Sequence, residues 1–286
     1  MNILYGILYL VAAPLMGGLV VGADRIITAR MQGRVGPPLL QPFYDVLKLM
    51  EKEKVVVTRA QNLFIFAYIV FMALTGALFF AGGDFLLVIF AMTLAHIFIV
   101  LGAYSANSPY SFIGAERELI QIMAFEPMII LVATGMYLVA KSFYISDLVR
   151  TDAPLIAYLP GLFLGFVYVL NIKLRKSPFD LSSSHHAHQE IVKGITTEFS
   201  GSSLGRIEIA HWYETILLMG FIYLFFGFNP VIAIFAVMLV YLIELLVDNS
   251  FPRYKWELAF QNSWAAAFFL GMGNIIMLWY YLRGGM

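Results

Sequence analysis

The chain has 286 residues, 61% of them hydrophobic and only 13% charged, with a formal net charge of zero and no cysteine. Such an apolar excess excludes a soluble globular domain of this length and points to a polytopic helical membrane protein. The neutral balance offers no basic surface for nucleic acid. Without cysteine, the chain can hold neither a thiolate-bound iron–sulfur cluster nor a nickel–iron centre, so any redox chemistry it serves sits on another subunit.

A bilayer core about 30 Å thick needs about 20 apolar residues per helix. The first uncharged run, residues 2–22, lacks a basic n-region and a cleavage-type ending, so it reads as a retained helix and not as a signal peptide. Residues 23–62 follow as a loop far longer than a turn needs. Within it Leu39, Leu40, Phe43, Val46, Leu47 and Met50 recur at helical spacing, opposite Gln41, Asp45, Lys48 and Lys52. That pattern predicts an amphipathic interfacial helix, in the plane of the membrane surface or under a partner subunit. Runs at 60–83, 85–103 and 119–140 supply three more spans, the last interrupted only by Glu126, and 153–172 supplies a fifth.

A second long loop, 173–210, is rich in Gly, Ser, His and charge. The run 215–243 exceeds one span, and Gly227-Phe228-Asn229-Pro230 at its centre is a turn with proline opening the next helix. Split there, and followed by 258–282, the chain is expected to be an all-α integral membrane protein of eight transmembrane helices in one polytopic domain, residues 1–286. With the N-terminus outside, 15 Lys and Arg fall on the cytoplasmic side and only Lys141, Arg150 and Arg283 on the other. That asymmetry predicts a multi-pass cell-membrane protein with both termini outside and the long loops, 23–62 and 173–210, forming a cytoplasmic docking surface.

The carboxylates inside these spans carry the functional signal. Glu126 stands mid-span, where a charge costs roughly 2.5–3.5 kcal/mol, and Pro127 beside it deletes a helical hydrogen bond. Glu116 and Glu118 flank Arg117 at the end of the same helix, and successive helical residues point about 100° apart, so the two cannot share one seam. Glu208, His211 and Glu214 are spaced i, i+3, i+6, with a histidine able to pass protons between acids. Glu244 and Asp248 are spaced i, i+4. His96, alone in the third span, reads as a hydrogen-bonded interhelical residue in preference to a relay member. The cluster His185, His186, His188 and Glu190 has no metal-site spacing, so docking or proton uptake is the preferred reading. Arg25, Arg30 and Arg34, set among Gly33, Gly36, Pro37 and Pro38, form a rigid basic surface suited to bidentate carboxylate contacts.

Three segments carry a resemblance: RMQGRVGPPLLQPFYDVLKL at 30–49 after Asp24-Arg25, GAERELIQIMAFEP at 114–127, and RKSPFD at 175–180 leading to HQEIVKGITTEFSG at 188–201. Together these resemble the membrane-bound family that includes the H-type (or first) subunit of respiratory complex I and its hydrogenase relatives, over nearly the whole chain. The runs 184–190, 210–214 and Asp248-Asn249-Ser250 with Arg253 are most similar to the membrane subunit of Ech-type energy-converting hydrogenase. Complex I relatives usually carry a Glu where this chain has His211, so their proton path does not transfer one-to-one at that point.

The resemblance implies an ion-translocating coupling subunit of a ferredoxin-dependent hydrogenase, with proton or sodium movement. The H-type subunit of an NADH:quinone oxidoreductase (complex I) and a formate-hydrogenlyase membrane subunit are the alternatives. Hydrogenase large and small subunits, a ferredoxin-like iron–sulfur subunit and an antiporter-like membrane subunit would be its partners. No cofactor is expected in this chain, the nickel–iron and iron–sulfur centres being on those partners. Glu116, Glu118, Glu126, Glu198, Glu208, His211, Glu214, Glu244 and Asp248 are the expected ion path. Arg25, Arg30, Arg34, Asp180, His188 and Glu190 are the expected docking residues.

Overall fold

A computed structural model describes residues 2–53, 55, 58–151, 154–177, 179, 182 and 193–284. Asp180, His185, His186, His188 and Glu190 lie outside the described residues. Among the described residues the chain is helical, the one extended pairing being a bridge between Asp84 and Tyr144.

Helix α1 (Ile3–Met31) is followed by α2 (Gln41–Glu51), α3 (Arg59–Phe80), α4 (Phe85–Tyr104) and α5 (Pro109–Ala140). The 22 residues of α3 reach about 33 Å at 1.5 Å each, enough for a bilayer core. A tight turn joins α3 to α4. Asp84 caps α4 by accepting the Leu87 N–H, and backbone bonds from Phe85 to Phe143 and from Ile145 to Gly83 pin that turn to the chain beyond α5. Lys141 ends α5 in the left-handed conformation, at φ 58°.

Two short helices, α6 (Ile145–Arg150) and α7 (Leu155–Tyr158), lead to α8 (Pro160–Lys173), where the sequence predicts one span over 153–172. Proline at its first position starts α8, and it runs for 14 residues, about 21 Å. It therefore stops inside the bundle. Its end is a Schellman turn: Arg175 N–H bonds to Ile172 O, Lys176 N–H bonds to Asn171 O, and Arg175 takes φ 52°. A non-glycine residue there costs roughly 1–2 kcal/mol, so something must hold it.

Helix α9 (Gly201–Phe225) and α10 (Pro230–Ser250) are separate, as the Gly227–Pro230 turn requires, and Asn229 caps α10 by accepting the N–H groups of Val231 and Ile232. Helix α11 (Trp256–Ala266) passes through a π-turn (Ala267–Met272) into α12 (Gly273–Gly284). Among the described residues, six helical stretches are long and apolar enough to cross a membrane: α1, α3, α4, α5, α10 and α11 through α12. Helix α8 is apolar but short, and α9 is long enough yet carries Arg206, Glu208, His211 and Glu214.

Helix α9 packs on α1, α2, α3 and α10, while α5 packs on α4, α8 and α11. Reciprocal bonds lock α1 to α9: Tyr9 OH donates to Tyr213 O at 2.8 Å, and Tyr213 OH donates to Leu10 O at 2.7 Å. The Tyr9 ring needs glycine opposite it, because a Cβ on Gly76 of α3 would stand 2.1 Å from the ring. Phe79, Phe85, Phe166, Phe221 and Phe225 interlock below that level and fill the interior. Above it, the interior turns polar.

Candidate functional site

Because α8 ends early, Lys173, Arg175 and Lys176 are delivered into the bundle. Lys173 is 5% exposed and needs a counter-charge at once. It finds one in Glu214 of α9, with Nζ 3.0 Å from Oε1. His96 of α4 completes the group, its Nε2 lying 2.9 Å from the same oxygen. The ring of Phe125 lies 3.9 Å below the ammonium, a cation–π contact from the neighbour of Glu126. Tyr68 of α3 stands edge-on between the rings of His96 and His211.

Arg175 is held by Glu118 of α5, Nη2 to Oε1 at 2.9 Å, which fastens the strained turn. Burial alone would lower the Arg175 guanidinium pKa, but Glu118, Tyr68, Glu214 and Glu208 together outweigh it and raise the value. Lys176 bonds to Asp24 of α1 at 2.6 Å, and Tyr241 of α10 donates to the same Asp24 oxygen at 2.9 Å. Asp248 accepts the backbone N–H of Ser177 at 2.8 Å. Three cations in one turn are thus matched to carboxylates on three different helices.

Asp24, Lys173, Arg175, Lys176, Glu214, Tyr241 and Asp248 line a cavity of about 660 Å³. Arg25, Arg34, Lys193 and Arg253 stand on its loop side, and Lys173, His211 and Glu214 at its inner wall. Its lining holds seven Lys or Arg and four carboxylates, so it is a charged, hydrated space. His211 Nε2, Tyr68 OH, Arg175 Nη1 and Glu118 Oε2 are buried polar atoms without a protein partner. Bound water is the usual partner for such atoms.

Of the expected ion path, Glu208, His211, Glu214 and Asp248 line this cavity, and Glu118 joins it through Arg175. Glu116 points elsewhere: it is exposed and accepts a bond from Tyr104 OH at 2.7 Å. Glu198 is half-buried and off the cavity, its backbone carbonyl accepting from Gln61. Glu244 is fully buried on α10, with neither carboxylate oxygen bonded. Glu126 lies in a second crevice of about 480 Å³ among Met123, Ile130, Trp264 and Phe268, and Thr93 OH donates to it at 2.6 Å. Trp264 Nε1 donates to Met123 O, the carbonyl that Pro127 leaves without its helical donor.

Arg25 and Arg34 reach the cavity, whereas Arg30 is exposed and outside it. Arg25 bonds to Asp45 of α2 at 2.6 Å. Burial works against the Asp45 carboxylate, but hydrogen bonds from Arg25 and Gln41 lower its pKa below the usual value. Helix α2 buries Pro42 and Val46 and packs Phe43 on Trp212 at 5.1 Å, while Leu39, Leu47 and Met50 stay exposed.

Sequence reasoning missed Lys173, Lys176, Asp24 and Tyr241. The cation run after an apolar stretch reads as an ordinary span boundary, which hides it. The spacing Tyr241, Glu244, Asp248 on one face of α10 was a usable signal. His96 does bond between helices as expected, but its partner is Glu214 itself.

The profile of the NADH dehydrogenase family matches residues 4–279. The chain belongs to that family. It is 27% identical to hydrogenase-4 component C of Escherichia coli, with 94% of this chain and 92% of that protein covered. It is 28% identical to an H-type subunit of NADH-quinone oxidoreductase, the second of its kind in Syntrophobacter fumaroxidans, over 97% of this chain and 93% of the relative. A chain of the membrane-bound sulfane sulfur reductase, an archaeal respiratory membrane complex, has the same fold, with a TM-score of 0.86 at 24% identity. That alignment covers 96% of this chain and 98% of the other. In this NADH dehydrogenase family member, the resemblance seen in the three sequence segments extends through the whole helical bundle.

Proposed function

We propose that the chain is the membrane-embedded coupling subunit of a multisubunit, ferredoxin-dependent energy-converting hydrogenase. One observation carries the reading: a charged cavity runs from the loop side of the bundle to a buried Lys173–Glu214–His96 group, in a chain of this family. Such a cavity lets charge movement in a docked protein act on ionisable groups inside the bundle. Hydrogenase large and small subunits and a ferredoxin-like iron–sulfur subunit dock over the loops, at Arg25, Arg30, Arg34, Asp180, His188 and Glu190. An antiporter-like subunit lies alongside in the membrane. The relative named hydrogenase-4 component C supports this assignment.

In this reading the chain crosses the membrane eight times, because α9 crosses as well as the other six and α7 and α8 in succession, residues 155–173, carry the remaining crossing. Helix α2 lies at the cytoplasmic interface, and the long loops face the cytoplasm with both termini outside. The redox centres belong to the partners, in keeping with a chain that has no cysteine. Redox change in the docked module shifts the loop at 173–210, and Lys173, Glu214, His211 and Glu126 respond in turn.

The relatives named as H-type subunits of NADH-quinone oxidoreductase favour a second reading, with a quinone in the cavity. Eleven formally charged side chains in the lining suit an apolar quinone tail poorly, which favours the first. The deciding experiment is gentle purification of the tagged chain with identification of its partners by mass spectrometry. A nickel–iron large subunit alongside it supports the hydrogenase role, and flavin-bearing NADH dehydrogenase subunits overturn it. Glu126→Ala that leaves ion-coupled hydrogen production intact removes Glu126 from the path.

A further inference from the structure

The three polar atoms at the inner wall of the cavity form a triangle. Lys173 Nζ lies 3.0 Å from Glu214 Oε1 and 3.0 Å from His96 Nε2, and Nε2 lies 2.9 Å from the same Oε1. On the other side of the ring, His96 Nδ1 lies 2.8 Å from the carbonyl oxygen of Met92. A carbonyl oxygen only accepts, so Nδ1 carries a hydrogen. In the neutral ring Nε2 is then bare, and a bare nitrogen 2.9 Å from a carboxylate oxygen sets lone pair against lone pair.

A proton between the two removes that conflict, and the ring becomes imidazolium. Lys173 is then best neutral, since two cations 3.0 Å apart would share a single carboxylate oxygen. The converse arrangement pairs a neutral ring with an ammonium that lies over it, Nζ 3.0 Å from Nε2 and 3.3 Å from Nδ1, and donates to Glu214 Oε1. The electrically neutral triangle therefore holds one mobile proton with two homes, His96 Nε2 and Lys173 Nζ.

We infer that Lys173 determines ion specificity: its amine fills the cation position against Glu214, so this point of the pathway passes protons and rejects sodium ions. The inference rests on the coupling role proposed above and deepens it by naming the ion. A hard cation such as sodium needs several oxygen ligands. Around Glu214 Oε1 an amine and an imidazole instead occupy the positions that oxygen ligands from cavity water would take, and the Phe125 ring backs the amine. The further groups that act here are Tyr68 of α3, His211 and Glu208 of α9, Arg175 from the turn after α8, and Glu118 of α5. Arg175 is itself matched by Glu118. In the transfer, an N–H bond at Lys173 breaks as an O–H bond forms at Glu214 Oε1, and that O–H bond breaks as an N–H bond forms at His96 Nε2. Cavity water then restores or removes the proton at Lys173, and no electron moves.

The test uses the full chain in lipid nanodiscs, read by infrared difference spectroscopy of the carboxylate stretching bands. NaCl is exchanged for KCl at equal ionic strength, at pH values below and above the ordinary imidazole range. The native chain is expected to respond to pH and to show no sodium-specific carboxylate shift. Lys173→Met is expected to gain such a shift at alkaline pH, and Glu214→Gln in the same background is expected to abolish it. Lys173→Arg is expected to stay blind to sodium.

A sodium-specific shift in the native chain that Glu214→Gln removes would overturn the inference. So would a folded Lys173→Met chain that stays blind to sodium at alkaline pH. The native measurement decides even if Lys173→Met fails to fold. The assay needs no redox partner, so failure of the hydrogenase assignment, read from the co-purified subunits, is a separate result.

Discussion

Replacing Glu214 by glutamine should unfold the protein far more readily than replacing its partner Lys173 by methionine, although each change removes one charge. In Glu214→Gln the triangle keeps one proton too many for the charges that remain. Stripping it from Lys173 at pH 7 means working against an ordinary lysine pKa of about 10.4, some 3.4 units at 1.36 kcal/mol each, or about 4.6 kcal/mol. That matches the cost of about 3–5 kcal/mol typical of a buried pair left with one partner.

In Lys173→Met, Glu214 still has His96 at 2.9 Å. Holding imidazole protonated at pH 7, from an ordinary value near 6.5, costs only about 0.7 kcal/mol. The double variant removes both charges and should be more stable than Glu214→Gln alone, by about 3 kcal/mol. Equilibrium unfolding of the purified chains in mixed detergent micelles measures all four corners of this cycle. The cost of Glu214→Gln should also fall by about 1.4 kcal/mol for each pH unit of rise towards 10. Equal costs for the two single variants, or a double variant less stable than Glu214→Gln, would refute the shared-proton geometry.

Three further expectations follow from single contacts. Trp264→Phe removes the donor to Met123 O and should cost about 1–3 kcal/mol in the same unfolding assay; Pro127→Ala, which restores the helical donor, should make it nearly silent. Gly114→Ala would place a Cβ 2.2 Å from the backbone nitrogen of Ile195, so it should dislodge the Gly194–Thr196 turn and cost about 1–3 kcal/mol, with faster proteolysis of the adjoining loop as a second readout. The third concerns α2. The Arg25–Asp45 pair holds Asp45 below its usual range, so its stabilisation is present above about pH 3.9 and is lost as pH falls through the lowered value. The pair is exposed and its contribution is under about 1 kcal/mol. Acid should loosen α2 reversibly, read as a change in Trp212 fluorescence beneath Phe43 that Trp212→Phe abolishes. The same change persisting in Asp45→Asn would disconnect it from this pair.

Sequence reasoning reached the helical membrane class, the amphipathic α2 and the break between α9 and α10, because each depends on local composition. An uncharged run long enough to span a bilayer carries its own signal, and Asn229-Pro230 is both a cap and a helix start. The family was legible for a similar reason, since three motifs in order specify it without any fold. Buried carboxylates at Glu214 and Glu244 also announced themselves, as charges in or near apolar stretches, whereas Glu118, beside Glu116 and Arg117, read as part of a helix-end charge cluster.

Pairing was not legible. Glu214 bonds across three helices to residues 118 and 41 positions away in the chain, and no spacing rule links His96 to Lys173 or to Glu214. Glu126 is the most conspicuous charge in the sequence, yet its side chain faces Thr93 and an apolar crevice, not the cavity. Which cation meets which carboxylate depended on α8 stopping after 14 residues, inside the bundle. By itself the chain determined that it forms membrane-spanning helices with charges it must neutralise, since hydropathy and desolvation act residue by residue. Only the tertiary structure decided which of those charges share a proton, because neutralisation at a distance requires helices far apart in sequence to bring their side chains within about 3 Å of one another.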